Sequence, residues 1–436
     1  MKQIIFIAAL AVTLGVFFYT ARRLILYFRF TKPFPIKDLG KRFMVMLNVA
    51  IGQTKIFRRP IIGFIHALVF WGFCVILIGS VEIVIDGIAG LEKSLGFLGI
   101  AYDIVFASAD VFAYIIFFSM IIFLSRRIFL NVKRFSGEEM SHKSHQDAIL
   151  ALSMILFLML SLIGMNVFYV ALHPEKYVGV YPFSAFVASF VNTADVSMLH
   201  LLHEISWWSH ILLIFVFANV LPYSKHFHVF LSVPNVFLSR LDPLGKLPGN
   251  DTITKEIKLM LNPETAYAAP ADTTALPERF GVKDIEDVTW KNYFDSLACT
   301  QCGRCTAVCP AASTGKKLSP RKIIMDVRRR MKDKGPGLIK KGKSFLDNKS
   351  LLFDYISAEE IWACTTCNAC ARECPININH PTLIVEMRRY LVLEESAAPP
   401  GLNTIFTNIE NNGAPWQFSP EDRLLWAQNI TIKKHK

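Results

Sequence analysis

The chain has 436 residues, 53% of them apolar, and nine cysteines. A chain this long and this apolar exceeds one ordinary soluble domain, so membrane spans are expected. The formal net charge of +12 does not mark a nucleic-acid binder: Lys and Arg concentrate in loops between apolar stretches rather than in an aromatic-interleaved stripe, which is what membrane topology produces.

Five stretches are long and apolar enough to cross a bilayer, which takes roughly 20 residues each: 3–30, 58–86, 101–130, 146–172 and 199–223. Only Lys2 precedes the first apolar run and no small-residue cleavage site follows it, so the spacing predicts a retained anchor rather than a signal peptide. Between the first and second spans lie Arg22, Arg23, Arg29, Lys32, Lys37, Lys41, Arg42, Lys55, Arg58 and Arg59 against Asp38 alone. The third loop and its margins repeat the bias with Arg126, Arg127, Lys133, Arg134 and Lys143, whereas the second and fourth offer little beyond Lys93 and Lys176. The positive-inside rule then places the N-terminus outside and everything after about residue 224 in the cytoplasm.

Outside the membrane, Tyr181 to Asn192 has the spacing of an amphipathic helix lying on the outer surface, with a plain loop as the alternative. From Leu247 to Trp290 the chain turns polar and Pro-rich, with Ala and Thr repeats around Ala268 to Ala275, and reads as a linker between two separately folding parts. Ser319-Pro320 fits the N-cap and first position of a helix. The basic run Lys316 to Lys343 is either a docking surface for an acidic protein or a solvated helix face. No strand-rich segment is present, so the fold class is all-α: five membrane helices, then a cytoplasmic helical part.

Eight of the nine cysteines form one device. Cys299-Thr-Gln-Cys302-Gly-Arg-Cys305-Thr-Ala-Val-Cys309-Pro310 recurs as Cys364-Thr-Thr-Cys367-Asn-Ala-Cys370-Ala-Arg-Glu-Cys374-Pro375. Both are the C-x2-C-x2-C-x3-C-P run of two-cluster ferredoxins, in which three close thiolates cap one cubane and the fourth reaches the other. Cys299, Cys302, Cys305 and Cys374 then hold one 4Fe-4S cluster, and Cys364, Cys367, Cys370 and Cys309 the second. Zinc also takes C-x2-C pairs, but a duplicated four-cysteine run ending in Pro is not a usual zinc spacing. Such thiolates need a reducing compartment, in agreement with the charge argument. Cys74 stands alone in the second span and, with Glu82 and Asp110, reads as a helix contact; Glu82 could also relay quinone protons.

Imidazole inside a bilayer is costly, and a helix-bundle interior suits haem held by two His from facing helices. His66 lies near the cytoplasmic start of the second span. Treated as one straight helix, the fifth span puts His210 and His228, 18 residues apart, on one face at opposite depths, with His226 pointing elsewhere unless Pro222 kinks the helix. Depth pairs His66 with His228 around one haem b. His210 suits a second haem nearer the outer face, but Ile76 stands where its partner is wanted. His203 could bind a quinone headgroup, and His173 is a looser candidate. Interfacial hydrogen bonding is the plainer reading of His173, His200 and His226, and solvation that of His142 and His145.

Residues 1–240, through His66 and His210-x17-His228 with Pro222-Tyr-Ser-Lys between, resemble the cytochrome b gamma subunit of respiratory nitrate reductases. That family has a further His ten residues along the second helix, which is Ile76 here. After a linker at 241–288, residues 289–396 resemble the small ferredoxin-like subunit of heterodisulfide reductases and the succinate dehydrogenase iron-sulfur domain. The fusion resembles membrane iron-sulfur oxidoreductases that link electron-transfer flavoprotein, or other cytoplasmic donors, to menaquinone. Residues 397–436, with Asn408 to Trp426, resemble the segment preceding a CCG domain in such relatives, which implies a tail that docks a separately encoded CCG-domain protein. The resemblance implies an oxidoreductase subunit, incomplete alone, that carries electrons from a cytoplasmic donor through two clusters and haem b to quinone in the inner-membrane respiratory chain. The reverse flow, from quinol to a heterodisulfide or sulfur-compound reductase, uses the same residues; a redox sensor is the alternative of another class.

Overall fold

A computed structural model of the chain describes residues 1–130, 132–175, 177–191, 195–262, 279–428 and 430. The repeats around Ala268 to Ala275, together with Lys176 and Asn192, lie outside the described residues. The structure is 71% helical, and among the described residues the β structure amounts to two isolated bridges, Lys32 with Thr289 and Leu352 with Ile356.

Among the described residues five helices are long and apolar enough to span a membrane: Lys2–Phe30, Pro60–Ala89, Ile100–Ile128, His142–Leu172 and Val196–Tyr223. Pro60 opens the second at the position where a missing N–H costs nothing, and Gly90 ends it in the left-handed conformation, φ 69°. Ser141 and Asp195 cap the fourth and fifth by accepting from the Ser144 and Met198 backbone N–H groups. Large apolar side chains such as Ile61, Phe118, Phe157 and Val216 point outward and are more than half exposed. In water that surface would be a severe liability; against lipid it is the ordinary exterior of a span. The fourth span is the central one, half buried over its most apolar window where the first is 11% buried. It packs between the third and fifth through Leu152, Leu158, Met159, Leu162 and Met165.

The segment after the fourth span forms the helix Pro182–Ala188. Its small face, Ser184 and Ala188, is buried, while Phe183, Phe186 and Phe190 are exposed, the orientation of a helix whose aromatic side meets lipid. Fully buried Asp110 on the third span holds it. Asp110 Oδ2 accepts from the Phe183 and Ser184 N–H groups at 2.9 and 3.0 Å, and Oδ1 accepts from Ser184 Oγ and Asn166 Nδ2. This carboxylate is a helix cap between spans. Asp110→Ala is expected to cost about 2 kcal/mol, the scale of a lost charged cap, read as faster amide exchange confined to residues 182–188.

The cysteine-bearing part packs onto the membrane helices at the end where the basic loops lie, rather than standing apart across a linker. Tyr27 at the end of the first span shares a core with Ile285, Tyr293, Leu297, Met331 and Leu338. Its ring lies so close to Gly335 that a Cβ there would sit 2.5 Å from Cε1. Backbone bonds from Lys32 N–H to the Val288 carbonyl and from Trp290 N–H to the Lys32 carbonyl, 2.8 and 2.9 Å, fasten the same joint. Ser319 caps the helix Pro320–Lys341 by accepting from Lys322 N–H, with Pro320 at its start, as the sequence predicts. Neither expectation for the basic run fits its inner face. Arg321, Arg330 and Lys334 are buried; Arg321 pairs with Glu139 at 2.6 Å, and Arg330 and Lys334 both pair with Asp284 at 2.8 Å. Lys332, Lys340, Lys341 and Lys343 remain exposed.

Candidate functional site

The two cysteine runs repeat one backbone conformation. The residues on either side of the second cysteine are left-handed in both: Gln301 and Gly303 at φ 57° and 73°, Thr366 and Asn368 at φ 53° and 61°. Such a conformation costs a non-glycine residue roughly 1–2 kcal/mol. It persists here because it turns successive N–H groups inward as an anion-binding nest. Thr366 N–H donates to Cys364 Sγ at 3.4 Å, and Gln301 N–H bonds the Cys299 thiol likewise. At Gly303 the space is as strict as the dihedral, since a Cβ would lie 2.1 Å from the Arg134 carbonyl oxygen.

A cavity of about 340 Å³ is lined by Cys299, Cys302, Cys305 and Cys374, with Arg304, Arg321 and His380 in its wall. Cys370 lies within electrostatic reach of Cys364, Cys309 and Cys367, and Cys305 within reach of Cys370 as well as its own set. Three cysteines of one run and the last of the other are therefore neighbours, twice over, and the two sets meet at Cys305 and Cys370. Cys367 is exposed, while Cys305, Cys309, Cys370 and Cys374 are buried. Burial pushes the thiol of Cys299 up to about 11 and those of Cys370 and Cys374 up to about 12, so thiolates at these positions require cations among them. Among the described residues no three His, Cys, Asp or Glu side chains converge on a single-ion site. Thiols spread around a cavity fit a multi-iron cubane.

The histidines lie on the membrane side. His66, in the second turn of the second span, has a buried Nδ1 with no hydrogen-bond partner and lies within electrostatic reach of His228 and Arg304. His228 Nδ1 lies 3.2 Å from the Lys225 carbonyl, which sets the Nδ1–H tautomer and leaves the Nε2 lone pair free to ligate. Two imidazoles from separate elements, one orphaned and one with its tautomer fixed, fit bis-histidine haem. The straight-helix geometry expected for the fifth span is corrected here. The helix ends at Val220, turns through Leu221–Tyr223, passes an extended Ser224 at ψ 158°, turns again through Lys225–Phe227 and restarts at His228–Phe237. Pro222 cannot continue the backbone ladder, and the Ser224 side chain caps the next turn at His226 N–H. The 18-residue spacing therefore fixes no common face. His226, expected to point elsewhere, has its ring 5.7 Å from that of His228. Burial lowers both imidazoles below their usual value, His226 the further.

His210 is buried, with Nδ1 3.0 Å from the Leu158 carbonyl and from Ser161 Oγ. It lines a second cavity, of about 430 Å³, with Ile76, Glu82, Lys93 and Met165. Glu82 accepts from Leu95 N–H and the Tyr102 hydroxyl, a structural role like that of Asp110. His173 Nδ1 bonds the Tyr169 carbonyl, and the His203 ring lies beside Tyr169. His200 and His142 are exposed, His145 is half-buried, and Cys74 is exposed on the second span. Sequence reasoning passes over two residues. Arg304 is buried, lines the Cys299 cavity, lies within electrostatic reach of His66 and donates to the Lys55 and Ile56 carbonyls. His380, 1% exposed, lies in the Cys299 cavity wall with an unpartnered Nδ1. Its only sequence signal is its place five residues after Pro375, opening a helix behind the Asn379 cap.

Apolar spans joined to a paired-cluster site define a membrane iron-sulfur electron-transfer protein, and comparison with known proteins agrees. Residues 295–378 match the 4Fe-4S dicluster domain family. Over its whole length the chain is 28% identical to the probable iron-sulfur-binding oxidoreductase FadF of Bacillus subtilis, covering 63% of that protein. Over 91% of its length it is 28% identical to the EtfAB:quinone oxidoreductase of Syntrophomonas wolfei, covering 55% of it. Over 24% of its length it is 34% identical to one subunit of the ferredoxin/F(420)H(2)-dependent CoB-CoM heterodisulfide reductase of Methanosarcina acetivorans, covering 52% of that polypeptide. These relatives are oxidoreductases or subunits of oxidoreductase complexes by name, and the chain spans less than two thirds of the first two. No solved structure matches.

Proposed function

We propose that the chain is the membrane electron-transfer subunit of a quinone-linked oxidoreductase, carrying electrons from a cytoplasmic donor through two 4Fe-4S clusters and haem b to menaquinone. Cys364, Cys367, Cys370 and Cys309 hold the outer cluster, Cys299, Cys302, Cys305 and Cys374 the inner one, and His66 and His228 the haem. When bound, these groups supply the one-electron carriers; the chain's residues hold them in line. The observation that supports the reading is a chain of neighbours: exposed Cys367, Cys370 within reach of Cys305, the Cys299 cavity, and Arg304, which lines that cavity and lies within electrostatic reach of His66. The basic loops orient the N-terminus outside and the cysteine-bearing part in the cytoplasm of an inner membrane. Similarity to EtfAB:quinone oxidoreductase supports electron-transfer flavoprotein, or a CCG-domain iron-sulfur protein standing between, as the donor. Reduction of the quinone takes two electrons and two protons and forms two O–H bonds.

Similarity to part of a heterodisulfide reductase favours a second reading, in which quinol is oxidised and the same residues feed a disulfide reductase. Both readings predict exchange with the quinone pool. Menaquinol added to the purified oxidised chain should reduce its haem, and menaquinone added to the reduced chain should reoxidise it, both followed at the b-type α band. No exchange in either direction would remove quinone from the reading and leave a redox sensor.

A further inference from the structure

Five cations without a carboxylate partner converge on the Cys299 set. Lys55 Nζ donates to the Cys374 carbonyl at 3.2 Å. Arg304 lines the cavity and spends its guanidinium on two carbonyls, at 2.9 and 3.4 Å. Lys225 Nζ donates to Ser144 Oγ at 2.7 Å and Gln301 Oε1 at 3.4 Å. Arg328 donates to the Pro222 and Ser224 carbonyls and lies within electrostatic reach of Cys299. Arg134 lies within reach of Cys302. Among the described residues none of the five has a carboxylate within salt-bridge distance. A sixth cation, Arg321, is neutralised by Glu139. Around the other set the corresponding cation is Arg388, which donates to the Cys364 carbonyl.

Proteins bury charges against opposite charges; here the carboxylates act only from beyond pairing distance, Asp147 on Lys225 and Arg328 and Glu373 on Lys55. Burial draws Lys225 down to about 8 and Arg134 down to about 10, with neighbouring arginines adding to the fall and Asp147, Cys299 and Cys302 opposing it. A cubane held by four thiolates is a net anion, one unit more negative when reduced, so nearby fixed cations favour its reduced form. Solvent at exposed Cys367 favours reduction of the other set too, but more weakly than fixed cations, of which Lys225 and Arg304 are buried and the other three half-buried, acting at lower dielectric.

We propose that Lys55, Arg134, Lys225, Arg304 and Arg328 form a charge cage that gives the Cys299 set the higher reduction potential, so that electrons entering at the exposed Cys364 set fall toward the membrane. The inference rests on the reading of the two sets as 4Fe-4S ligands and adds a direction to it. The step is a single-electron transfer: the Cys364 side is oxidised by one unit as the Cys299 side is reduced by one, with no bond made and no proton moved.

The test is a redox titration of the full chain, purified anaerobically in detergent and followed by low-temperature electron paramagnetic resonance. Two cluster signals with separate midpoints are expected. Arg134→Gln and Lys225→Gln should each lower the higher midpoint and leave the lower in place, Arg388→Gln should lower the lower one, and Arg134→Lys should keep the wild-type value. If Arg134→Gln fails to load iron, Lys225→Gln carries the same comparison. Two intact signals with neither midpoint moved, or with only the lower one moved by Arg134→Gln or Lys225→Gln, overturn the cage and leave the cluster reading standing. A chain that takes up zinc instead of iron removes the cluster reading, and the cage with it.

Discussion

Purified chain carrying His66→Ala or His228→Ala is expected to lose its b-type α band while keeping its iron. On the proposed reading each substitution removes one of the two imidazoles that would hold the haem, and a single imidazole would not keep it between the helices. The two residues reach the site by separate routes: His66 on a continuous helix opened by Pro60, His228 after a break with its Nδ1 tied to the Lys225 carbonyl. The haem should therefore respond to both equally, although they lie 162 positions apart in the chain. His226→Ala is the control for the break. Its ring neighbours that of His228, and haem lost in His226→Ala but retained in His228→Ala would move the ligand by two positions. Pyridine haemochrome content against iron content is the measurement. Full haem in both His66→Ala and His228→Ala would end the membrane half of the proposed function.

Asp284→Ala should destabilise the cysteine-bearing part. Asp284 accepts from Arg330 Nε and Nη2 at 2.9 and 2.8 Å, from Lys334 Nζ at 2.8 Å and from Leu351 N–H at 3.0 Å. Arg330 is 0% exposed. Removing the carboxylate leaves Arg330 to Asp347 and Lys334 to Glu286 but orphans the Leu351 N–H and takes the central anion from the network, which costs about 1–3 kcal/mol, seen as an earlier loss of iron-sulfur absorbance on heating. The same network has a pH signature. Burial pushes the Asp284 carboxyl up, but hydrogen bonds from Arg330 and Lys334 outweigh it and hold it below its usual value; the Arg330 hydrogen bonds hold Asp347 down to about 2. A carboxylate depressed in the folded state contributes stability that is full above its unfolded value of roughly 4. That contribution drains as pH falls from there toward 2, so the melting temperature should drop over this window in the wild type and much less in Asp284→Ala. An equal drop in both would deny the network its role.

What the sequence makes legible here follows the length scale of each signal. Spans are continuous apolar runs, so hydropathy finds all five within four residues of the observed ends. The cysteine runs carry their geometry in their own spacing. The fifth span failed at Pro222 because a straight-helix rule extends periodicity through a residue that ends it, although the proline was visible. Pairings across distant segments had no local signal at all: Glu139 with Arg321 spans 182 positions. Nor could composition separate the two tasks of the basic loops. Arg58, Arg42 and Lys55 suit a topology signal, yet Arg58 donates to the Arg372 carbonyl and pairs with Glu373, Arg42 ties the Phe237 and Ser239 carbonyls, and Lys55 holds the Cys374 carbonyl. His380 escaped notice because nothing near it in sequence is a metal-ligand pattern.

Tyr27 has a consequence for the order in which the protein is made. Its helix leaves the ribosome well before the other walls of the core it fills, which run from Ile285 to Leu338. A fragment beginning after the spans would leave Gly335 facing a hole the size of a tyrosine ring and a hydrophobic face open to water. The core that Tyr27 closes is thus complete only on a chain whose first helix is already in place, and the joint between the spans and the cysteine-bearing part is made late, by residues brought back to a helix synthesised early.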